Sequence, residues 1–377
     1  MRDVIEAVAT WTEQGESFAL ATVVNTSQSA PRPAGASMAI GMKGEAVGSV
    51  SGGCVEGAVY QLGQEAIEDG VPVLQRFGYS DDDAFAVGLT CGGIIDVFIE
   101  RLTRQSFPEL PAVIADIEVG NPVATATVVE HPQPERIGKR LVVWPERASG
   151  TLGSPHLDHA VIDDARGLLA AGESTLLMYG HDGERMETGA KIFVSSYQPK
   201  PRMIIFGAID FAAAVAQAGS MIGFEVTVCD AREVFATVAR FPSADEVVVS
   251  WPHAYLQQEL AKGKIDIRTV ICVLTHDPKF DVPVLDIALR LEGSEKPAYI
   301  GVMGSRKTHH DRLARLQDVG INPAQLAQMH SPIGLDLGGR TPEETAISVV
   351  AEIIAERWGG TGRPLKNLVG TVHSHSA

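Results

Sequence analysis

The segment 48–59, GSVSGGCVEGAV, combines residue types that could bind an anion and a soft metal. Gly52 and Gly53 permit a tight turn with positive φ, and Cys54 follows at the start of a predicted helix. Backbone N–H groups at such a turn are free to bind an anion, and the helix dipole favours the thiolate of Cys54. A tight turn with a buried structural cysteine would have the same local sequence, so both interpretations stay open.

Two further features favour the functional interpretation. Cys91 and Gly92 belong to a second glycine-flanked cysteine segment, LTCGG, between a predicted turn and a predicted strand. The segment 150–161, GTLGSPHLDHAV, repeats the first one at an offset of 102 residues, and His156 takes the place of Cys54. A cysteine turn that is present in one copy only is typical of a site on a duplicated scaffold.

The repeat extends through the N-terminal half of the chain. ALATVVN at 19–25 is echoed by ATATVVE at 124–130, and further echoes follow in the same order. Conserved order over a long stretch indicates duplication rather than chance. We therefore predict two similar α/β units, at about 1–110 and 121–197, which pack together and share one sheet. The first is expected to hold the site and the second to serve as scaffold.

Arg32 lies between two prolines in the loop 26–36, TSQSAPRPAGA, whose turn-forming residues exclude regular secondary structure. Because the prolines stiffen the loop, Arg32 is a pre-placed cation for a phosphate or a carboxylate. A solvated surface arginine is the alternative interpretation.

The composition is that of a globular protein without an extended charged or apolar segment. The chain has 377 residues, of which 45% are hydrophobic and 21% charged, and this predicts two or three domains. The net charge of −16 argues against nucleic acid or an anionic membrane as the main partner. Four cysteines without a CxxC pair, no signal-peptide pattern and no membrane-spanning run predict a cytoplasmic protein.

The C-terminal half, 199–360, alternates predicted strands and helices. This alternation predicts a parallel sheet covered on both faces, that is, a Rossmann-like, doubly wound α/β domain. A proline-containing linker at 195–202 separates it from an N-terminal domain at 1–198. The glycine-rich tail, 361–377, is expected to be disordered.

The first turn of this half departs from the dinucleotide-binding motif G-x-G-x-x-A. Gly207 is in place, but Ile209 replaces the middle glycine, where a pyrophosphate leaves no room for a Cβ. Asp210 adds a negative charge beside the expected phosphate. Asp230, at the end of the second strand, is correctly placed to bind a ribose. The motif therefore argues against NAD(P) binding, although Gly207 and Asp230 remain candidate contacts.

Polar clusters follow several strands of the predicted sheet. Ligands of open α/β sheets bind at the carboxyl ends of the strands, so these clusters predict a polar rim around a binding site. In this rim a histidine would act as base or ligand and two arginines would hold an anion. The residues are His276, Asp277, Ser305, Arg306 and Arg340.

Six segments of the chain match the motifs of a known family. They are APRPAGASM (30–38), GSVSGGCVEGAV (48–59), GLTCGG (88–93), THDPKFD (275–281), YIGVMGSRK (299–307) and HSPIGLDLGGRTPEETAISVVAEI (330–353). In these segments the chain resembles the XdhC/CoxI family of molybdenum-enzyme accessory proteins, whose second domain is a Rossmann domain. The turn 207–210, GAID, departs from the GAGH usual in the family, which argues further against nucleotide binding there.

The resemblance implies a cytosolic, homodimeric chaperone with no catalytic residue of its own. It would bind the molybdenum cofactor (molybdopterin), support its sulfuration with a cysteine desulfurase as a possible partner, and insert it into an enzyme of the xanthine dehydrogenase or carbon monoxide dehydrogenase type. The turn N–H groups and Arg32 would hold the cofactor phosphate. The thiolates of Cys54 and Cys91 would contact the molybdenum centre.

Two other functions stay open on the sequence. An NAD(P)-dependent oxidoreductase is supported by the predicted sheet, Asp230 and His276, and is weakened by Ile209. A redox-regulated interaction protein would use Cys54 and Cys91 as a switch disulfide. Bound molybdenum and pterin, nicotinamide consumption, and the loss of two thiols on oxidation distinguish the three functions.

Overall fold

The computed structural model describes residues 1–28, 30–78, 93–180, 182–185 and 189–368. They form two compact units, Met1–Pro199 and Lys200–Leu368. Cys91 and Gly92 lie outside the described residues. Among the described helices, none combines the length and the hydropathy that crossing a bilayer requires.

The first unit contains two antiparallel sheets of five strands each. The first sheet consists of β1 (Phe18–Ser27), β2 (Ser37–Gly41), β3 (Ala46–Gly48), β4 (Val73–Phe77) and β5 (Ile94–Leu102). The second consists of β6 (Val123–Glu130), β7 (Arg140–Val143), β8 (Ala148–Thr151), β9 (Thr175–Tyr179) and β10 (Ala190–Tyr197). The helices are α1 (Ile5–Gln14), α2 (Glu56–Asp69), α3 (Leu110–Val119) and α4 (Pro155–Ala171). The strand orders, β3-β2-β1-β5-β4 and β8-β7-β6-β10-β9, are the same.

The two halves of this unit have equivalent backbone features as well as equivalent strand orders. Gly48 ends β3 with a φ of 85°, and Gly150 lies in β8 with a φ of 89°. A Cβ on either glycine would collide with a carbonyl oxygen across the hairpin, that of Ser37 or Arg140. Both hairpins therefore require glycine at the same place.

The prediction that the two halves share one sheet was wrong. The two sheets are separate, and Val24 and Phe98 of the first share a buried apolar cluster with Val129 and Phe193 of the second. The central strands are apolar on both faces, so each sheet must be shielded from water on both faces. Helix α2 shields only one face of the first sheet, and helix α4 only one face of the second. Among the described residues, no strand of the first sheet pairs with a strand of the second.

The second unit is a parallel, doubly wound sheet, which confirms the predicted fold class. Its strands are β11 (Arg202–Phe206), β12 (Glu225–Asp230), β13 (Glu246–Val249), β14 (Val270–Val273), β15 (Tyr299–Val302) and β16 (Met329–His330). Its helices are α5 (Asp210–Met221), α6 (Pro252–Ala261), α7 (Pro278–Ala288), α8 (Arg306–Asp318), α9 (Pro323–Leu326) and α10 (Pro342–Trp358). The strand order is β13-β12-β11-β14-β15-β16. Separate apolar clusters cover the two faces.

Candidate functional site

Residues 49–55, which we call the cysteine turn because they include Cys54, fold around the carboxylate of Glu56, the first residue of α2. One oxygen, Oε1, accepts from Ser49 Oγ at 2.6 Å, Ser51 N at 2.9 Å and Gly52 N at 3.0 Å. The other, Oε2, accepts from Ser51 Oγ at 2.6 Å and Gly53 N at 2.8 Å. The anion that the turn was predicted to bind is therefore supplied by the chain itself.

This geometry confirms one prediction about the turn and corrects another. The positive φ predicted for the two glycines is found, at 82° for Gly52 and 122° for Gly53. Their N–H groups, however, are not free for a ligand phosphate, because Glu56 accepts both. Burial opposes ionisation of Glu56, but hydrogen bonds from Ser49 and Ser51 outweigh it and lower its pKa to about 2. The turn thus holds a permanent negative charge at neutral pH.

Cys54 is a half-buried thiol on this turn. Its N–H donates to Ser51 Oγ at 2.9 Å, and its side chain packs against the apolar cluster under α2. The helix begins at Glu56, two residues later than predicted, because Ser51 and Glu56 close the turn before the first helical hydrogen bond. Cys54 therefore lies at the edge of the apolar core and not deep inside it.

The three described cysteines are expected to differ in reactivity. Burial raises the pKa of Cys229 to about 12 and that of Cys272 to about 12. The thiolate is the reactive species, so iodoacetamide at pH 8 should modify Cys54 well before these two strand cysteines. Mass spectrometry of peptides from the native protein measures the order, with urea-unfolded protein as control. Equal rates in the native state would contradict the assignment.

The corresponding turn in the second half has the same acidic anchor without the thiol. Asp158 takes the place of Glu56 and accepts from Thr151 Oγ1 and from Leu152 N, both at 2.7 Å. At the position of Cys54, the imidazole of His156 lies 3.0 Å from a carboxylate oxygen of Asp182 and its side chain is 81% exposed. The two halves therefore share the fold of the turn but differ in chemistry.

Arg32 lines an open cavity of about 390 Å³ in the first unit, and Cys54 does not. Its guanidinium forms an ion pair with Asp3. The structure thus places the predicted cation and the predicted thiol in different surroundings. The sequence did not predict this separation, because the loop and the turn are close along the chain.

In the first turn of the second unit, the predicted nucleotide contact Asp230 and its neighbour Asp210 have partners within the chain. Asp230, the predicted ribose contact, is only 2% exposed, and its carboxylate accepts from Ala208 N at 2.7 Å and from Arg232 Nη2 at 2.7 Å. Burial opposes its ionisation, but these hydrogen bonds keep the pKa of Asp230 below its ordinary value. Asp210 forms an ion pair with Arg240 at 3.1 Å. The predicted ribose contact is thus bonded within the chain, and the carboxylate of Asp210 is paired with Arg240.

Two of the predicted rim residues cap helices. Ser305 Oγ accepts from Thr308 N at 3.2 Å at the start of α8. Asp277 accepts from Lys279 N at 3.1 Å at the start of α7 and forms an ion pair with the same lysine. Helix capping therefore explains why a serine and an aspartate occupy these two positions, and no bound ligand is needed to explain them.

The other three rim residues, His276, Arg306 and Arg340, are exposed. Arg306 opens α8, and the backbone N–H of Arg340 donates to Glu344 Oε2 at 2.7 Å. Within the part of the chain that the structure describes, no hydrogen bond or ion pair joins any two of these three. Their role in a common site therefore remains a prediction.

Comparison with known proteins identifies the family. The sequence profile of the XdhC Rossmann domain matches residues 203–353, and that of the XdhC and CoxI family matches 11–78 and 117–180. A Bacillus subtilis relative named as a probable xanthine dehydrogenase subunit is 30% identical over 358 residues, covering 92% of this chain and 94% of the relative. The chain belongs to the XdhC and CoxI family. The resemblance seen in the sequence motifs is thereby confirmed.

Two further relatives match nearly the whole chain. The "Molybdenum cofactor insertion chaperone PaoD" of Escherichia coli is 26% identical over 357 residues, with 95% of this chain and 87% of the relative covered. A crystal structure of a protein named xanthine dehydrogenase from Bacillus halodurans superposes with a TM-score of 0.70 at 24% identity, covering 97% of both chains. The structural likeness shows that the fold extends over both units.

One buried polar pair of this family member was missed by sequence reasoning. Asp281 and Arg312 are 3% and 2% exposed, and Arg312 Nη2 donates to Asp281 Oδ2 at 2.9 Å and to Met303 O at 3.0 Å. Burial raises the pKa of Asp281 in spite of hydrogen bonds from Thr275 and Arg312. The pair ties α7 and α8 to the end of β15. The two residues are too far apart in sequence for any spacing to reveal it.

Metal binding by the chain alone has no support among the described residues. Searched over those residues, the structure contains no group of three or more His, Cys, Asp or Glu side chains that could hold a metal ion. The predicted contact of Cys54 with a molybdenum centre would therefore be a contact to a cofactor that brings its own metal ligands. The partner thiol in that prediction, Cys91, lies outside the described residues.

Proposed function

We propose that this protein is an accessory chaperone that binds the molybdenum cofactor in transit and delivers it to an enzyme of the xanthine dehydrogenase or carbon monoxide dehydrogenase type. The observation that supports this proposal most is the nearly full-length similarity to a relative named for molybdenum cofactor insertion. The similarity spans both units, so the proposal concerns the whole chain. The cofactor is cargo and not a resident group of the protein.

The chemistry of the cysteine turn supports a role in holding this cargo. A thiolate is a suitable partner for a molybdenum–sulfur centre, because soft ligands favour soft metal sites. Cys54 is half-buried, and the hydrogen bonds to Glu56 fix the backbone on both sides of it. A thiol on a rigid turn can bind a group without first ordering a loop. The second half has His156 at this position and offers no such thiol.

The proposal assigns the cofactor phosphate to a place other than the cysteine turn. Glu56 accepts the N–H groups of Gly52 and Gly53, and its charge would repel a phosphate. A cationic site elsewhere must therefore bind the phosphate. The proposal also includes cofactor sulfuration, with sulfur supplied by a cysteine desulfurase, and a cytoplasmic homodimer; these parts rest on the family resemblance.

Replacement of Cys54 by serine is expected to abolish most of the cofactor load, because an alcohol is a far poorer ligand for a soft metal centre than a thiolate. Protein purified from its native host is assayed for molybdenum by mass spectrometry and for pterin by fluorescence after oxidation. The wild type is expected to contain both in equal amounts. Cys91→Ser is measured in parallel.

The control is His156→Ser, which changes the equivalent position of the second half and is expected to retain the load. Thermal unfolding of each variant separates loss of cofactor from loss of fold. If the wild type contains neither molybdenum nor pterin, the chaperone function is wrong. If Cys54→Ser carries as much of both as the wild type, the function stands and the thiol role is wrong.

A further inference from the structure

The cavity at Arg32 has the size and the lining of a small-molecule site. Its volume, about 390 Å³, lies within the range of roughly 300–1,000 Å³ that such sites occupy. Besides the loop residues 32–36, its walls include Arg2, Asp3 and Ser196. Two arginines and one carboxylate residue thus line the cavity, in a chain whose net charge is −16. The cavity is locally cationic in an acidic protein.

Two hydrogen-bond donors at this cavity have no partner among the described residues. Arg32 Nε and Ser196 Oγ are buried atoms that form no hydrogen bond with that part of the chain. Buried polar atoms are nearly always bonded, and leaving one unbonded costs about 1–3 kcal/mol. The guanidinium Nε–H can only donate, and the serine hydroxyl can donate as well. Arg32 Nε–H therefore requires an acceptor that the described chain does not supply, and the Ser196 hydroxyl can donate to the same acceptor.

The loop that carries Arg32 is held in place. Pro31 and Pro33 flank the arginine, and Gly35 N donates to Val23 O at 2.8 Å, so the loop is fastened to β1. The second half has the equivalent hydrogen bond between loop and strand, since Gly138 N donates to Val128 O of β6 at 2.9 Å. Counting back from these two glycines, Glu135 takes the place of Arg32. At this exact position the cation thus occurs in the first half only, as expected of a binding residue and not of a scaffold residue.

We propose that this cavity binds a small molecule through a phosphate or carboxylate group, and that Arg32 Nε and Ser196 Oγ donate to the anion once the side chains that cover these two buried atoms move aside. Asp3, which is paired with the far end of the Arg32 guanidinium, is 52% exposed and can turn into solvent when a ligand anion enters. The inference follows from the cavity alone and does not require the molybdenum cofactor. The cofactor phosphate is one group of this chemistry.

Titration of the full chain with inorganic phosphate and, separately, with succinate tests the site by calorimetry at low salt. Saturable binding of at least one anion is expected. Arg32→Gln and Arg32→Lys should each weaken it about tenfold, because lysine keeps the charge but not the Nε–H donor. Ser196→Ala should weaken it several-fold. Asp3→Asn should tighten it, because it removes the competing carboxylate.

The matched control is Arg136→Gln, which removes the arginine from the corresponding loop of the second half and should leave binding unchanged. Phosphate binding without succinate binding identifies a phosphate ligand, and the reverse identifies a carboxylate ligand. Absence of saturable binding for both anions would overturn the proposal, as would an equal loss in Arg136→Gln and Arg32→Gln. Molybdenum and pterin contents are measured separately, so either proposal can fail while the other stands.

Discussion

Replacement of Arg140 by methionine is expected to lower the free energy of unfolding by about 3–5 kcal/mol, the usual cost of removing one partner of a buried ion pair. Arg140 of β7 forms an ion pair with Glu100 of β5, so the pair joins the two sheets of the first unit. The side chains are only 7% and 11% exposed. Methionine fills most of the volume but leaves the Glu100 carboxylate buried without its counter-charge.

The surroundings of Arg140 make water a poor substitute for the guanidinium. Its Nε donates to Thr127 Oγ1 at 3.0 Å, and its guanidinium carbon lies 4.3 Å from the centre of the Phe107 ring. The cavity beside it measures about 30 Å³, which exceeds the roughly 10–15 Å³ that one buried water needs but is far too small to hydrate a carboxylate. Burial raises the pKa of Glu100 even with Arg140 present.

Urea unfolding at several pH values measures this effect. A carboxyl group whose pKa is raised on folding lowers stability above its unfolded pKa, and the penalty disappears as the pH falls through the folded pKa. The loss in Arg140→Met should therefore be largest at neutral pH and shrink in acid. Adding Glu100→Gln should recover most of it. Lys191→Met, which breaks an exposed pair with Glu130, should cost at most about 1 kcal/mol. An equally small loss in Arg140→Met would contradict the argument.

The elements of the second unit were predictable because their signals are local. The helix Pro342–Trp358 begins after Thr341, where Thr341 and Glu344 form the capping box that their spacing indicates. The strand Glu246–Val249 contains three consecutive valines, a run that is typical of a strand. Hydrophobic runs and caps are properties of neighbouring residues, and a single sequence contains them.

The pairing of the two sheets was not predictable in the same way. The ion pair of Glu100 with Arg140 joins strands from different halves, and no spacing along the chain identifies such partners. The separation of Arg32 from Cys54 also depends on how the sheets pack. The packing of distant segments determines which side of a loop faces a cavity, and the hydrophobic periodicity of the sequence contains no information about that packing.

The role of Glu56 was predictable from a signal that the sequence contains. When the two glycine turns are aligned, Glu56 falls on Asp158 and Ser49 falls on Thr151. In each half the hydroxyl donates to the carboxylate, at 2.6 Å in the first and 2.7 Å in the second. A hydroxyl residue and a carboxylate residue at the same spacing in both halves indicate a side-chain hydrogen bond that fixes the conformation of the turn. The sequence interpretation instead assigned the free N–H groups of the turn to a ligand.

Replacement of Glu56 by glutamine is expected to lower the free energy of unfolding by about 3 kcal/mol, since each hydrogen bond to a charged acceptor contributes about 1.5–3 kcal/mol and several are weakened at once. Both carboxylate oxygens accept from backbone N–H groups, that of Gly52 at Oε1 and that of Gly53 at Oε2. The amide NH₂ of glutamine must therefore face a donor in either orientation. Urea unfolding at pH 7 measures the loss.

The pH dependence and a matched variant distinguish the loss of the Glu56 hydrogen bonds from the general effect of removing a negative charge. The pKa of Glu56 is lowered to about 2 from an ordinary value of 4.5, so its stabilisation is complete above about pH 5 and declines as the pH falls toward 2. Wild type and Glu56→Gln should therefore converge in acid. Asp158→Asn in the second half removes an acceptor with fewer hydrogen bonds and should cost less. Equal losses in the two variants, or a difference that persists unchanged to pH 3, would show that the turn is held by its backbone and not by Glu56.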